Sequence, residues 1–131
     1  MRCQLCTVNR MRRIRLLALV GVGGAAGALV RWRIAEAWTG DGFPWATFIV
    51  NVVGCALLGL LATREVSTES SRLIGAGFCG GLTTFSTLSV EIVELLDSGR
   101  PALAAIYVLA SVVIGLGAYV ATRSLNPEAH Q

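Results

Sequence analysis

The residues best equipped for chemistry stand together in Gly80-Gly81-Leu82-Thr83-Thr84-Phe85-Ser86-Thr87. Paired glycines followed by Thr83, Thr84, Ser86, Thr87 and Ser89 weaken a helix, because glycine raises the entropy cost and hydroxyls offer the backbone competing hydrogen bonds. What such a stretch offers is a set of freed backbone groups and hydroxyls that can replace the water around an ion. It lies near the middle of an apolar segment, roughly 71–96, that is long enough to cross a membrane. At that depth an unwound turn is tolerated only where protein or a water-filled cavity covers it. Broken helices of this kind mark ion and substrate sites in transporters. The competing reading is a glycine-rich packing seam whose hydroxyls bond back to their own helix.

Other polar groups are sparse. Asn51 stands alone about two turns into an apolar run, either as glue between helices or as an N–H donor toward a passing anion. Arg31 ends another run, either as an anchor reaching the headgroups or as an anion-attracting group at a pore mouth. Glu91 and Glu94 fall about two turns past the glycine-rich stretch, where a wetted helix end competes with a role at a vestibule. Tyr107, Ser111, Gly115 and Tyr119 recur every four residues on one helix face, for packing or for lining a pore. A single Cys3-x-x-Cys6 without a second ligand pair is weak for zinc, and a start at Met11 would delete it. His130 in the polar tail reads as inert. With no metal-ligand cluster, nucleophile–base pair or phosphate loop in the sequence, an enzyme is not expected.

The elements that must position these groups follow from composition. The 131 residues are 54% hydrophobic and 15% charged, with mean hydropathy +0.67, well below the charge content of a soluble domain. The expected fold is an all-α integral membrane protein with spans at about 14–36, 45–62, 71–96 and 102–121, the third broken near its middle. A basic extension (1–13) precedes this four-helix domain (14–123) and a polar tail (124–131) follows it. The first run, with arginines before it and small residues at 23–27, also imitates a signal peptide, but Arg31 and Arg33 follow at once and the remaining chain is apolar. Gly23-x-x-x-Gly27 and Gly77-x-x-x-Gly81 each put small residues on one face for close helix approach. Trp38 and Trp45 fit interfacial depth, and Pro44 and Pro101 fit helix starts. Every basic residue is arginine, eight on the side of the termini and three (Arg31, Arg33, Arg100) opposite, so the termini are expected in the cytoplasm. No basic patch is interleaved with aromatics, so no nucleic acid is expected as a partner.

Gly23-Gly24-x-x-Gly27-Ala28-x-x-Arg31, Asn51-x-x-Gly54, and 77–87 with Glu91 together resemble the CrcB/Fluc fluoride channels, over about 16–120. The resemblance implies a bacterial plasma-membrane protein of four helices that works as an antiparallel dimer and exports fluoride passively, lowering its cytoplasmic level. It also implies a fluoride pathway of Asn51, Phe85, Ser86, Thr87, Leu88, Tyr107 and Ser111, with Arg31 and Glu91 at the vestibule. The edge of the Phe85 ring would face the ion, as the positive end of its quadrupole. The carbonyls of Gly80 and Thr83 match those that hold a structural Na+ at the dimer interface, a hard cation suited to oxygen ligands.

Two departures alter this expectation. Leu88 stands where the family usually has a second phenylalanine and offers no positive edge, and Gly115 stands where a hydroxyl would be more useful. The eight-to-three arginine bias does not suit a chain that must insert both ways. The expectation is therefore one half of an antiparallel heterodimer with a paralogue, against the alternatives of a homodimer or a non-conducting, partner-dependent subunit. A small multidrug exporter would need a carboxylate in its first span, and none lies between Arg15 and Arg33.

Overall fold

The computed structural model describes the backbone of residues 2–38, 40, 42–64 and 66–125, with side chains from Arg10 onward within those ranges. Among them the chain is all-helical: α1 (Arg2–Ala37), α2 (Trp45–Ala62), α3 (Thr68–Ser70), a π-helical stretch (Ser71–Cys79), α4 (Gly80–Leu82), α5 (Phe85–Asp97) and α6 (Pro101–Arg123). Four helical spans are long and apolar enough to cross a membrane: Arg10–Ala37, Trp45–Ala62, Thr68–Asp97 and Pro101–Arg123.

Local sequence explains the ends. Ser67 caps α3 by accepting from Ser70 N–H at 3.1 Å. Gly99, with φ of 71°, takes the left-handed turn between α5 and α6, and Pro101 opens α6 where no helical N–H is needed. The first helix is longer than expected. It runs back through the basic segment, because no glycine or proline interrupts the chain before Gly21.

The spans pack as two pairs. The two small-residue motifs face each other: a Cβ on Gly23 or Gly27 would fall on the Leu73 or Phe78 carbonyl, and one on Gly81 would fall on the Gly24 carbonyl. α1 thus lies backbone to backbone along the first half of the third span, the close approach that small residues permit within a membrane. α2 lies along α6 in the same way. Gly59 abuts the Tyr119 carbonyl, and Thr122 Oγ1 donates to the Ala56 carbonyl at 2.9 Å. Tyr107 and Gly115 are buried on this side, and a Cβ on Gly115 would stand 3.4 Å from Cys55 Sγ. The small-residue stripe of the fourth span is therefore a packing face, against α2 at Gly115 and Tyr119 and against α5 at Tyr107.

The core is small. Leu88, Leu95, Ala104 and Tyr107 form a buried cluster, with Phe43, Phe48, Ile92 and Leu103 packed around it. The remaining large apolar side chains, such as Leu109, Val112, Val113 and Leu116, point outward, as a bilayer solvent permits.

Candidate functional site

The third span breaks where the sequence weakens it. Thr83 (ψ 153°) and Thr84 (φ −149°, ψ 124°) are both extended between α4 and α5. Asn51 clasps the break with both ends of its amide: Oδ1 accepts from Thr84 N–H at 2.8 Å, and Nδ2 donates to the Thr84 carbonyl at 3.0 Å. Thr84 restarts the helix as a cap, its Oγ1 accepting from Thr87 N–H at 3.1 Å and donating to Thr87 Oγ1 at 3.0 Å. Arg31 Nε donates to the Gly81 carbonyl at 3.2 Å, replacing the donor that an unbroken helix would have supplied there. Arg31 is thus tied to the break itself, beyond any role as an anchor.

These bonds redistribute the helical ladder in a specific way. In a continuous α-helix, Gly80 O would take Thr84 N–H and Thr83 O would take Thr87 N–H. Here the first donor goes to Asn51 and the second to the Thr84 hydroxyl. Gly80 and Thr83 thus join Gly81 among the carbonyls at the break that lose their helical donors. A Cβ on Gly80 would meet nothing within 4 Å, so that side of the break is open.

About two turns beyond, three spans converge on one carboxylate. Thr47 Oγ1 donates to Glu91 Oε1 at 2.7 Å, and the Tyr107 hydroxyl donates to Glu91 Oε2 at 2.6 Å. Thr47 and Tyr107 are buried, so Glu91 is held inside the bundle rather than merely wetted at a helix end. The Phe43 ring meets Tyr107 edge-on at 5.2 Å and Phe48 at 5.4 Å, fixing the phenol from its other side.

Two cavities join these features. The wider, about 540 Å³, opens between the 38–44 and 98–100 connections and is lined by Trp38, Thr47, Thr87, Glu91, Glu94 and Arg100 among others. The inner, about 240 Å³, is lined by Arg31, Trp32, Thr47, Val50, Thr84 and Thr87 among others. Thr47 and Thr87 line both. Ala35 and Ala46 also line both, so the two cavities adjoin: the wider one reaches Arg100 at the 98–100 connection, and the inner one, largely apolar, reaches Arg31 and Thr84 at the break.

The sequence-derived residues are divided by this geometry. Asn51 and Arg31 meet at the break, Arg31, Thr87 and Glu91 line the cavities, and Tyr107 is fully buried behind Glu91, lining neither cavity. Ser86 is exposed beside Thr84, with the two hydroxyl oxygens 3.2 Å apart. Phe85 is 81% exposed, on the outer surface of the chain. Leu88 is buried in the cluster with Tyr107, facing the fourth span. Ser111 donates to the Tyr107 carbonyl of its own helix at 2.7 Å. The side chains of Cys3, Cys6 and His130 lie outside the described residues. Thr47 escaped the sequence reading, and Thr84, read there only as one of the hydroxyls that weaken the helix, is the residue Asn51 clasps. Thr47 stands four before Asn51, on the same face of α2, a spacing that marks it as Asn51's neighbour.

The fold and site define a class: a four-span membrane protein whose third span is broken at its middle, with its polar groups gathered at the break. Residues 18–123 match the family described as "CrcB-like protein, Camphor Resistance (CrcB)". The chain is 48% identical over 103 residues to "Fluoride-specific ion channel FluC 2" of Rhodococcus jostii, covering 76% of this chain and 89% of that protein. It is 47% identical over 109 residues to "Fluoride-specific ion channel FluC 1" of Mycolicibacterium paratuberculosis, covering 78% and 83%. Over 118 residues it is 42% identical to "Fluoride-specific ion channel FluC" of Oceanobacillus iheyensis, covering 84% and 91%. The chain belongs to the CrcB-like family and is a multi-pass membrane protein.

Proposed function

We propose that this chain is a fluoride-selective channel subunit that lowers cytoplasmic fluoride by passive export across a bacterial plasma membrane. The observation that carries the proposal is the 48% identity over 103 residues to a relative named as a fluoride-specific ion channel. The geometry supports it. Fluoride is small and tightly hydrated, so its path needs donors in place of water. Thr87 Oγ1 accepts from Thr84 Oγ1, which leaves its own proton for an ion in either cavity. Asn51 spends one of its two N–H groups on Thr84 and keeps the other, and the remaining guanidinium N–H groups of Arg31 border the inner cavity. Glu91, bonded through both oxygens, acts as a brace that fixes the spacing of the second, third and fourth spans.

The active unit is an antiparallel dimer. Phe85 and the open side of Gly80 lie on the outer surface, where a second chain would turn the exposed ring edge toward a path between subunits. The residues present fit a structural Na+. Gly80 and Thr83 are among the carbonyls at the break whose helical donors are diverted, and hard oxygens suit a hard cation. Bound there, Na+ would neutralise the freed carbonyls of two facing breaks and pin the subunits together.

A heterodimer with a paralogue is the favoured pairing. Its support is the arginine bias and relatives whose names are numbered 1 and 2. Fluoride efflux from liposomes containing the purified chain, read with a fluoride electrode against chloride, tests the reading. Selective efflux from the chain alone establishes a competent homodimer and defeats the obligate heterodimer. Silence alone followed by selective efflux with a co-reconstituted paralogue establishes the heterodimer. Silence in both overturns the channel assignment.

A further inference from the structure

At the end of the molecule where α1 starts and α6 finishes, a cleft of about 220 Å³ opens between α1 and the start of the π-helical stretch, lined by Arg13, Leu16, Leu17, Val20 and Arg72. We propose that this cleft is a binding site for an anionic phospholipid of the leaflet that faces the termini. Arg13, Leu16, Leu17 and Val20 are spaced i, i+3, i+4, i+7, so they form one stripe along α1. The stripe is basic at its outer end and apolar for the next two turns, a depth of roughly 10 Å. Arg72, from the other wall, brings a second guanidinium to the same cleft. The neighbouring Arg15 is paired with Glu69 at 3.2 Å, the one ion pair among the described residues. No described carboxylate pairs with Arg13 or Arg72. Their planar donor forks match a phosphate diester, and basic pockets between spans recognise anionic headgroups in this way.

The apolar wall selects a lipid over free phosphate. Leu17 is 71% exposed one turn in from Arg13, so a headgroup held by the arginines would lay its chain along Leu16, Leu17 and Val20. Arg13 lies outside the 18–123 family match, which makes half of the headgroup contact a property of this chain's own helical extension. The site concerns one leaflet only and depends neither on which side of the membrane that is nor on what the channel conducts.

Native mass spectrometry of the full chain in detergent, titrated with phosphatidylglycerol or phosphatidylcholine of identical acyl chains, tests the site. The expected result is retention of one phosphatidylglycerol per chain at concentrations where phosphatidylcholine is lost. Arg13→Gln with Arg72→Gln lowers that occupancy roughly tenfold or more, since each juxtamembrane arginine contributes appreciably to anionic-lipid binding. Arg64→Gln with Arg123→Gln, at the same end but off the cleft, leaves it unchanged. Both cleft arginines are exposed, so the variant folds, and unchanged helicity by circular dichroism verifies this. Equal retention of both lipids, or phosphatidylglycerol binding unchanged in the double variant, overturns the proposal. So does displacement of the lipid by inorganic phosphate alone. Loss of the dimer mass without loss of lipid would assign the cleft to a second copy instead.

Discussion

At residue scale, Asn51 holds an interrupted helix together from a neighbouring span. Thr84 is 9% exposed, and both of its backbone groups bond to the one amide. Asn51→Leu keeps the side-chain volume and removes both partners. Each buried group left unpaired costs about 1–3 kcal/mol, and the loss of a shape-preserving contact adds little. The expected outcome is a clear fall in the thermal unfolding midpoint of the purified protein, with fluoride efflux lost as the break reshapes. An unchanged midpoint would mean that water or another donor replaces the amide, and would leave Asn51 a donor to the passing ion alone. The same bonds explain why its role stayed open in the sequence. An isolated amide in an apolar run announces that it has partners. Which partners depends on Thr84 being brought to α2 across 33 residues, and no local pattern encodes that.

The elements were legible where the physics is local. Apolar length, arginines at the ends, proline at helix starts and the glycine–threonine run set four spans and one break, and the structure has them. The facing of Gly23 and Gly27 against the Gly77–Gly81 face needed three dimensions, as did the turning of the fourth-span stripe inward onto α2. The π winding of 71–79 and the convergence of Thr47 and Tyr107 on Glu91 were not legible either, since both arise from how the spans settle against each other. A prediction belongs to this scale. Gly27→Ala places a methyl on the Phe78 carbonyl and close to Leu82 N, both backbone atoms that cannot swing aside. Gly21→Ala, on the same helix, meets nothing within 4 Å. Gly27→Ala should destabilise by about 1–3 kcal/mol or more through overpacking, while Gly21→Ala should be neutral or gain up to about 1 kcal/mol of helix propensity. Thermal unfolding of the two purified variants checks this; equal midpoints would deny the backbone-to-backbone seam.

For the whole molecule, the distribution of arginine decides what assembly the chain can enter. Orientation follows the positive residues of short loops and span ends, with acidic residues contributing little. Eight arginines lie toward the start of α1 and the end of α6 and three toward the opposite end, where Arg31 and Arg100 line the two cavities. Two copies inserted the same way cannot form an antiparallel pair, so a strongly biased chain needs a partner of opposite bias. Fusing a reporter that fluoresces only in the cytoplasm, or one active only outside it, to the C-terminus should give signal from the first and silence from the second. Replacing Arg10, Arg12, Arg13 and Arg15 by glutamine leaves four against three, and both reporters should then give signal. If orientation is what keeps the chain from pairing with itself, cells producing only this balanced variant should gain fluoride efflux that the natural chain alone lacks. Gain of both orientations without efflux would place the deficit in the ion path rather than in orientation. Signal from both reporters with the natural chain would remove the case for a paralogous partner, because the charge bias would then not direct insertion.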